Sequence, residues 1–262
     1  MRRQALPFLL GAVSGALGGL MGVGGGIILV PLLVHALHVA QHEAQGTSLA
    51  LVIVTALVAV IPYYGQERLD LALALWLAVG AVPGVIVGSR LAARTSAARL
   101  RVVFGILMLV TAVRLLAAPP EAHGGTTLWS VPANVLVGVL VGTLAGFVGI
   151  GGGTVLVPIL VLGQNIDQHT AQGISLLMII PVGIVGVLSY ARQGRIVLQG
   201  LPGLVAGGAV GALMGALLAH RMKAPTLTRL FALLLLATAA QMIFGRPRGN
   251  VPRSAEPSGG IP

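Results

Sequence analysis

The sequence predicts an all-α polytopic membrane protein built from two homologous repeats. The composition is 56% hydrophobic with a mean hydropathy of +0.98. Charged residues make up only 8% of the chain, whereas soluble domains contain roughly 25%. Apolar stretches of about 17 to 25 residues, each long enough to cross a bilayer, recur from end to end. The second half of the chain also repeats the first.

The duplication is visible when the chain is shifted by 127 residues, which places Gly11 on Gly138 and Thr111 on Thr238 without a gap. Low complexity alone aligns glycines and leucines, but here polar residues align as well, which indicates a true internal repeat. The aligned polar positions are Gln41-His42 with Gln168-His169, Gln45 with Gln172, Ser48 with Ser175, Tyr63 with Tyr190, Gln66 with Gln193 and Arg68 with Arg195.

Each repeat is predicted to contain four hydrophobic pieces, with residues 1–117 forming the first repeat and 133–245 the second. The connector 118–132 contains no lysine or arginine and is expected outside the cell. The tail 246–262 lacks apolar periodicity and is expected to be disordered. The hydrophobic pieces are predicted near 6–39, 43–64, 71–89 and 101–117, and near 133–163, 170–190, 197–218 and 227–244.

The first piece of each repeat is too long for one straight span at about 1.5 Å per residue, so it must break, tilt or turn back. If it crosses once, the repeats share one orientation, and the basic loops cannot be collected on one side. If it enters and returns, the repeats are inverted and most arginines face the cytoplasm, where the N-terminus is placed. The loop with Arg221, Lys223 and Arg229 then faces outward. The positive-inside rule favours the inverted arrangement.

Glycine-rich interruptions lie within these first pieces, as "GVGGG" from Gly22 and "GIGGG" from Gly149. Consecutive glycines stop a helix, and lipid tolerates a break only where protein or water supplies hydrogen-bond partners. A short helix beginning at each break points its free N–H groups into that place, which attracts anions. Inversion brings the two breaks together near the midplane. Alternatively, these glycines only allow close packing. The predicted anion-binding residues here are Gly22, Gly24, Gly25, Gly26, Gly149, Gly151, Gly152, Gly153 and the adjacent Thr154.

A polar element opens the span that follows each break, as "QHEAQGTSL" at 41–49 and "QHTAQGISL" at 168–176. Hydroxyls and amides solvate an anion without neutralising it, so these elements supply further substrate-binding candidates. The alternative is that they cap the helix or bond to neighbouring helices. His42 and His169 are candidates to carry a coupling proton, or else they lie at the membrane interface. The candidates for anion binding are Gln45, Thr47, Ser48, Gln172 and Ser175.

A different set of glycines recurs every four residues on single helix faces, a pattern typical of close helix contacts rather than of binding. These packing glycines are Gly11, Gly15 and Gly19, then Gly80, Gly84 and Gly88, and finally Gly207, Gly211 and Gly215.

Composition also excludes several functions. The formal net charge is +10, but the basic residues lie mostly in short loops and at the ends, which indicates topology signals and not nucleic-acid binding. The absence of cysteine excludes disulfides and thiolate sites. The spans lack the buried carboxylate of a cation site. No catalytic residue, metal site or cofactor is predicted, because the sequence offers neither paired carboxylates nor a histidine cluster.

The tandem "GxxGxGGGxxxVP" elements, Gly19–Pro31 and Gly146–Pro158, are each followed by "HxAxGxSL", at His42–Leu49 and His169–Leu176. Together they resemble the sulfite exporter TauE/SafE family, over about residues 5–245. The resemblance implies a permease of the bacterial or archaeal plasma membrane that moves sulfite, sulfonates, sulfoacetate or related anions. At the position equivalent to Thr47, the second element has an isoleucine.

The expected function is therefore secondary transport of a small sulfur-containing anion, which binds between the breaks and is released as one repeat rocks against the other. The alternatives are a passive anion channel or a membrane scaffold subunit. The expected partners are the anion and the lipid bilayer. Transport direction, coupling ion and oligomeric state stay open.

Overall fold

The computed structural model describes residues 2–64, 69–94, 97–117 and 129–244, and every regular element in these ranges is a helix. The predicted all-α class is thereby confirmed. The connector prediction falls mostly on 118–128 and the tail prediction on 245–262, which lie outside the described residues. The helices are α1 (Arg2–Met21), α2 (Gly26–Ala36), α3 (Gln41–Tyr64), α4 (Leu71–Ala92), α5 (Ala97–Ala117), α6 (Val131–Val148), α7 (Gly153–Pro158), α8 (Gln168–Arg192), α9 (Leu201–Arg221) and α10 (Ala224–Phe244).

Seven of the described helices are long and apolar enough to cross a membrane: α1, α3, α4, α6, α8, α9 and α10. Large apolar side chains are exposed on their outer faces, including Leu75 and Val79 on α4 and Met214 on α9. In water such a surface would be a large exposed apolar patch, whereas lipid tails solvate it without cost. The fold is therefore that of a multi-pass membrane protein.

The first hydrophobic piece turns back on itself. After α1 ends at Met21, the chain reverses, and Gly25 lies against Ser14, one turn before Gly18. The far end of α2 then returns to the beginning of α1, where Leu37 and Pro7 line one cavity. Helices α1 and α2 therefore form a hairpin whose end returns to the side of the bundle on which it began.

The second hydrophobic piece makes the same reversal. Helix α6 ends at Val148, and α7 continues directly into a π-helical turn, Ile159–Gly163. The end of this turn lies beside the beginning of α6, because Gln164 Nε2 donates to Asn134 Oδ1 at 2.9 Å. Both interrupted pieces thus enter and return, which was one of the arrangements that their length allowed.

Two pairs of helices are packed through the glycines that recur every four residues, which confirms their predicted packing role. A Cβ at Gly11 of α1 would lie 2.0 Å from the Leu204 carbonyl oxygen of α9, and a Cβ at Gly19 would lie 2.2 Å from that of Ala212. Helices α4 and α6 make contacts of the same kind, since a Cβ at Gly80 would lie 2.0 Å from the Val135 oxygen. Residue numbers rise in the same direction along both helices of each pair, so the two helices of a pair run parallel.

Helices α3 and α8 pack against each other in the interior and run in opposite directions, because Gly183 contacts Ile53 while Gly186 contacts Leu49. Helices α5 and α10 form a further packed pair. The glycine breaks of both hairpins reach α3 and α8, which therefore carry most of the side chains around the breaks.

Several predicted boundaries move by up to about four residues, and the start of α9 moves for a visible reason. The seventh piece was expected from about 197, but α9 begins at Leu201. Gly200 precedes it in a left-handed conformation (φ 80°), and Pro202 occupies the first turn. Proline is favoured at a helix start because its missing N–H would be unpaired there anyway. Residues 195–198 instead form an irregular segment beside the start of α3, in which Ile196 and Val197 are partly buried and Leu198 is exposed.

Candidate functional site

Each hairpin reverses at a run of glycines with left-handed backbone. The φ angles are 68°, 73° and 83° at Gly22, Gly24 and Gly25, and 74°, 85° and 81° at Gly149, Gly151 and Gly152. Other residues pay about 1–2 kcal/mol to adopt this conformation, and glycine does not. The next residues, Gly26 and Gly153, begin α2 and α7. The predicted helix stops are therefore located where the sequence placed them.

The two breaks lie in direct contact. A Cβ at Gly26 would lie 2.9 Å from Ile150 Cα, and a Cβ at Gly153 would lie 2.8 Å from Val23 Cα. Val52 of α3 contacts both Gly24 and Gly151. The starts of α2 and α7 thus share one buried place in the interior of the helix bundle.

Serine and threonine hydroxyls donate hydrogen bonds to carbonyl oxygens of the first break. Ser14 Oγ donates to the Gly25 oxygen at 2.6 Å, and Thr55 Oγ1 donates to the Gly24 oxygen at 2.7 Å. Ser48 Oγ lies 3.5 Å from the Gly26 oxygen. Because a buried carbonyl without a partner is costly, these bonds stabilise the break. Ser48, predicted as a substrate ligand, is directed at the backbone of this break.

Buried polar groups without partners lie where the two breaks meet. Thr154 Oγ1, Ser175 Oγ and Gln172 Nε2 have no hydrogen-bond partner among the residues that the structure describes. These three residues are 0–2% exposed. Ser175 Oγ lies 2.7 Å from the Cβ position of Gly153 in the second break, whereas the Gln172 side chain lies against Gly22 of the first. Two of the three unpaired groups therefore belong to the second break and one lies against the first.

Two tyrosine hydroxyls contact the glutamines of the polar elements, Gln45 and Gln172. Tyr63 Oη donates to Gln172 Oε1 at 3.0 Å, which leaves the Gln172 amide nitrogen directed elsewhere. Tyr190 Oη donates to the Gly146 oxygen at 2.9 Å and lies 3.4 Å from Gln45 Oε1. The Gln45 side chain packs against Gly149 as Gln172 packs against Gly22. Each glutamine therefore spans from its own helix to the opposite hairpin.

The remaining predicted residues lie farther toward the helix ends. Thr47 Oγ1 accepts a hydrogen bond from the Val197 N–H at 2.9 Å. Thr47 also lines a cavity of about 490 Å³ between the start of α1, the end of α2 and the start of α9. His42 lies in the first turn of α3 and is partly buried. These positions lie near the start of α3 rather than at the breaks.

His169 belongs to a cluster of rings at the opposite end of the bundle. Its Nε2 lies 3.1 Å from the Met222 oxygen, and its ring centroid lies 6.4 Å from that of His220. The His220 ring in turn meets Tyr63 edge-on at 5.9 Å. A continuous chain of contacts therefore connects His169 to Gln172 through His220 and Tyr63.

Sequence reasoning missed the partners that distinguish the two breaks. Ser14 and Thr55 bond to the first break, whereas the equivalent positions in the second half are Val141 and Val182. Comparison of the aligned halves contained this signal, because both positions carry a hydroxyl in the first half and an apolar valine in the second. Within the described residues, no group of histidine and carboxylate side chains is arranged to hold a metal ion.

Comparisons with known proteins agree with this architecture. Residues 7–242 match the family model described as sulfite exporter TauE/SafE. A probable membrane transporter protein of Xylella fastidiosa strain Temecula1 is 32% identical over 241 residues, covering 89% of this chain and 92% of the relative. The probable membrane transporter protein YunE of Bacillus subtilis is 27% identical over 261 residues, covering 90% and 96%. No solved structure gives a significant match. The chain therefore belongs to the sulfite exporter TauE/SafE family and is a membrane transporter.

Proposed function

We propose that this protein is a secondary transporter that moves a small sulfur-containing anion, such as sulfite, a sulfonate or sulfoacetate, across the plasma membrane of a bacterium or archaeon. We propose further that the anion binds at the second glycine break. Thr154 and Ser175 supply hydrogen bonds there, Gln172 supplies one from its position against Gly22 of the adjoining first break, and the glycines at 149–153 allow the anion to approach closely.

One observation carries this proposal: three buried donors without partners lie where the two backbone reversals meet, two of them at the second. A buried polar group without a partner costs about 1–3 kcal/mol, so three together are expensive unless a ligand satisfies them. Hydroxyl and amide N–H groups are donors that suit the oxygen atoms of an oxyanion. The family description and the names of the relatives support transport as the purpose of such a site.

None of these three donor side chains carries a positive charge, which suits a transporter. A fixed arginine in the centre of the bundle would hold a doubly charged oxyanion tightly and slow its release. Neutral donors replace part of the hydration shell and let the ion leave again. Transport requires binding that is strong enough for entry and weak enough for exit, as in other conduction sites.

The inverted-repeat arrangement is part of this proposal. It is supported by the 127-residue alignment and by the opposite directions of α3 and α8, which occupy equivalent positions in the two halves. The contacts between α1 and α9 also correspond to those between α6 and α4 under the same 127-residue shift. Leu204 of α9, which contacts Gly11 of α1, aligns with Leu77 of α4. Inverted repeats with interrupted helices are a common plan for alternating access.

The test is uptake into liposomes that contain the purified protein. Sulfite, thiosulfate, sulfate and a small sulfonate are offered separately, with a proton gradient, a sodium gradient or neither. We expect saturable flux of at least one sulfur anion and counterflow driven by unlabelled anion inside. Current that rises linearly with voltage and shows no counterflow would identify a channel instead.

Two variants connect the flux to the second break. Gly152→Leu places a side chain at a φ of 81° in the break and is expected to abolish saturable flux. Ser175→Ala removes one donor hydroxyl with minimal change in volume and is expected to weaken substrate affinity about tenfold. Normal affinity in a correctly folded Ser175→Ala protein would contradict this location of the site.

A further inference from the structure

A basic side chain outside the glycine breaks also has unused binding capacity. Arg195 lies in the segment between α8 and α9, and its backbone N–H donates to the Tyr190 oxygen at 3.0 Å. The Arg195 carbonyl oxygen lies against α3, only 2.1 Å from the position of a Cβ on Gly46. The backbone of this segment is therefore fixed firmly on the beginning of α3.

The guanidinium group is incompletely paired. Arg195 Nη1 is buried and has no hydrogen-bond partner among the described residues. Of the three carboxylates that the structure describes, Asp70 and Asp167 cap α4 and α8, and Glu43 lies in the first turn of α3, next to His42. Burial of an arginine nitrogen without an anion is costly, so this position is suited to a negatively charged ligand.

A second unpaired nitrogen lies close by. The Arg195 carbonyl oxygen lies against Gly46, which follows His42 by one helical turn, and the Arg195 N–H bonds to Tyr190, so Arg195 lies beside the face of α3 that carries His42. His42 Nδ1 is buried and lacks a partner in the described part of the chain. As the Nδ1–H tautomer, His42 donates one hydrogen bond, while the arginine supplies charge and further donors.

The position is linked to the proposed central site by contacts already described. His42 is followed one turn later by Gln45, which packs against Gly149 at the start of the second break. Tyr190, the neighbour of Arg195, also approaches Gln45. An anion held between Arg195 and His42 is thus separated from the second break by the Gln45 side chain.

We propose that Arg195 and His42 form a second anion-binding position, at the entrance beside the start of α3, which captures an oxyanion before it reaches the second glycine break. This inference rests on the proposed function. In this arrangement, the positively charged entrance attracts the substrate. The neutral central site then selects among anions by hydrogen bonding. Opposite charge at an entrance raises the rate of capture and depends on ionic strength.

The experiment compares Arg195→Gln with Arg192→Gln. Arg192 is exposed at the end of α8, three residues away, so it is a matched control for the loss of one positive charge. Initial uptake of sulfite and thiosulfate is measured in proteoliposomes at low and high potassium gluconate. We expect Arg195→Gln to raise KM about tenfold with little change in kcat, and Arg192→Gln to leave KM within about twofold.

Two further readouts separate binding from a structural role. Arg195→Lys is expected to recover part of the affinity, because lysine keeps the charge but not the planar fork. The KM of the unmodified protein and of Arg192→Gln should rise with salt, whereas that of Arg195→Gln should rise much less. Equal KM values in the two glutamine variants, equal salt dependence, or a fall in kcat alone would each overturn the inference. Absence of flux in the unmodified protein would instead refute the proposed function.

Discussion

The two glycine breaks have nearly the same backbone and different surroundings. Both contain three left-handed glycines followed by a helix start. At the first break, Ser14 and Thr55 donate to the glycine carbonyls. At the second break, valines occupy those positions, and Thr154 and Ser175 retain unpaired polar atoms, as does Gln172 where it packs against Gly22. The comparison teaches that the protein's own hydroxyls stabilise one break, whereas the polar groups beside the other have no partner within the described residues.

The largest expected difference between the breaks concerns stability. A Cβ at Gly25 would lie 2.5 Å from the Ser14 backbone oxygen, whereas a Cβ at Gly152 would lie 3.1 Å from the side-chain methyls of Ala145 and Val141 and 3.5 Å from the nearest backbone atom, the Val141 oxygen. Left-handed strain costs both alanine variants about 1–2 kcal/mol, but Gly25→Ala also forces a backbone shift. We expect losses of about 3 kcal/mol or more for Gly25→Ala and about 1–2 kcal/mol for Gly152→Ala.

The measurement is reversible unfolding in mixed micelles, followed by circular dichroism. Gly152→Ala is the matched control because its φ of 81° is close to the 83° of Gly25. If the two variants lost the same stability, the packing difference between the breaks would have no energetic consequence.

The next effect concerns anion affinity and separates the two glutamines. Gln172→Leu removes the unpaired amide nitrogen, and a hydrogen bond to an anion contributes about 1.5–3 kcal/mol. We expect its affinity for the transported anion to fall about 10- to 150-fold. Calorimetry in detergent gives the affinity, and Gln45→Leu is the matched variant in the first half, with a smaller expected loss.

Gln172→Leu also removes the acceptor of the Tyr63 hydroxyl, so Tyr63→Phe is needed beside it. Tyr63→Phe alone is expected to keep the affinity within about fivefold, because the hydroxyl bonds to the amide oxygen and not to its nitrogen. An equal loss in Gln45→Leu and Gln172→Leu would indicate a site that uses both breaks alike.

A smaller effect is expected from Thr154→Val, which keeps the shape of the side chain and removes its unpaired hydroxyl. Affinity should fall about tenfold, while the stability of the anion-free protein should stay the same or rise, because the buried hydroxyl has no partner to lose. Thr143→Val is the control, since the Thr143 hydroxyl bonds to the Val139 oxygen of its own helix.

Ser14→Ala should show the opposite pattern to Thr154→Val. It removes a 2.6 Å bond to the Gly25 oxygen, so stability should fall by about 1–3 kcal/mol. Its affinity for the anion should change little. A loss of affinity in Ser14→Ala that matched the loss in Thr154→Val would remove the distinction between a stabilised and an available break.

The smallest expected effect comes from making the second break resemble the first. Val182→Thr introduces a hydroxyl at the position equivalent to Thr55, which donates to the Gly24 oxygen. The new hydroxyl is expected to reach the Gly151 oxygen and to change stability by no more than about 1 kcal/mol. Thr55→Val provides the reciprocal control, with a larger expected loss. Destabilisation by Val182→Thr equal to that of Thr55→Val would show that the two breaks differ in geometry as well as in partners.

Much of the fold follows from the sequence because its signals are local. The glycine runs stop helices wherever they occur, and Gly22–Gly26 and Gly149–Gly153 separate the helices as expected. Length ruled out a straight first span, and both interrupted pieces return. The start of α9 was misplaced because an apolar segment, 195–198, packs against another helix without being helical.

The candidate site was predicted as a symmetric set of residues, and its asymmetry could not be read from the repeats alone. Ser48 and Ser175 are equivalent in sequence, yet Ser48 is near the Gly26 oxygen and Ser175 has no partner. Arg195 aligned with Arg68, but as a loop arginine it was interpreted only as a topology signal. Which groups find partners depends on three-dimensional packing between helices that are far apart in the chain.

The glycine packing of α1 on α9 limits how this transporter can move. Helix α1 belongs to the first half of the chain and α9 to the second, and their backbones approach too closely to admit even one methyl group. Helices α4 and α6 connect the halves again in the same way. A hinge that swung one half as a rigid body would have to pull apart both interfaces. We therefore expect that the rigid bodies of the proposed alternating access are not the two halves of the chain but two mixed bodies, each containing one of these helix pairs.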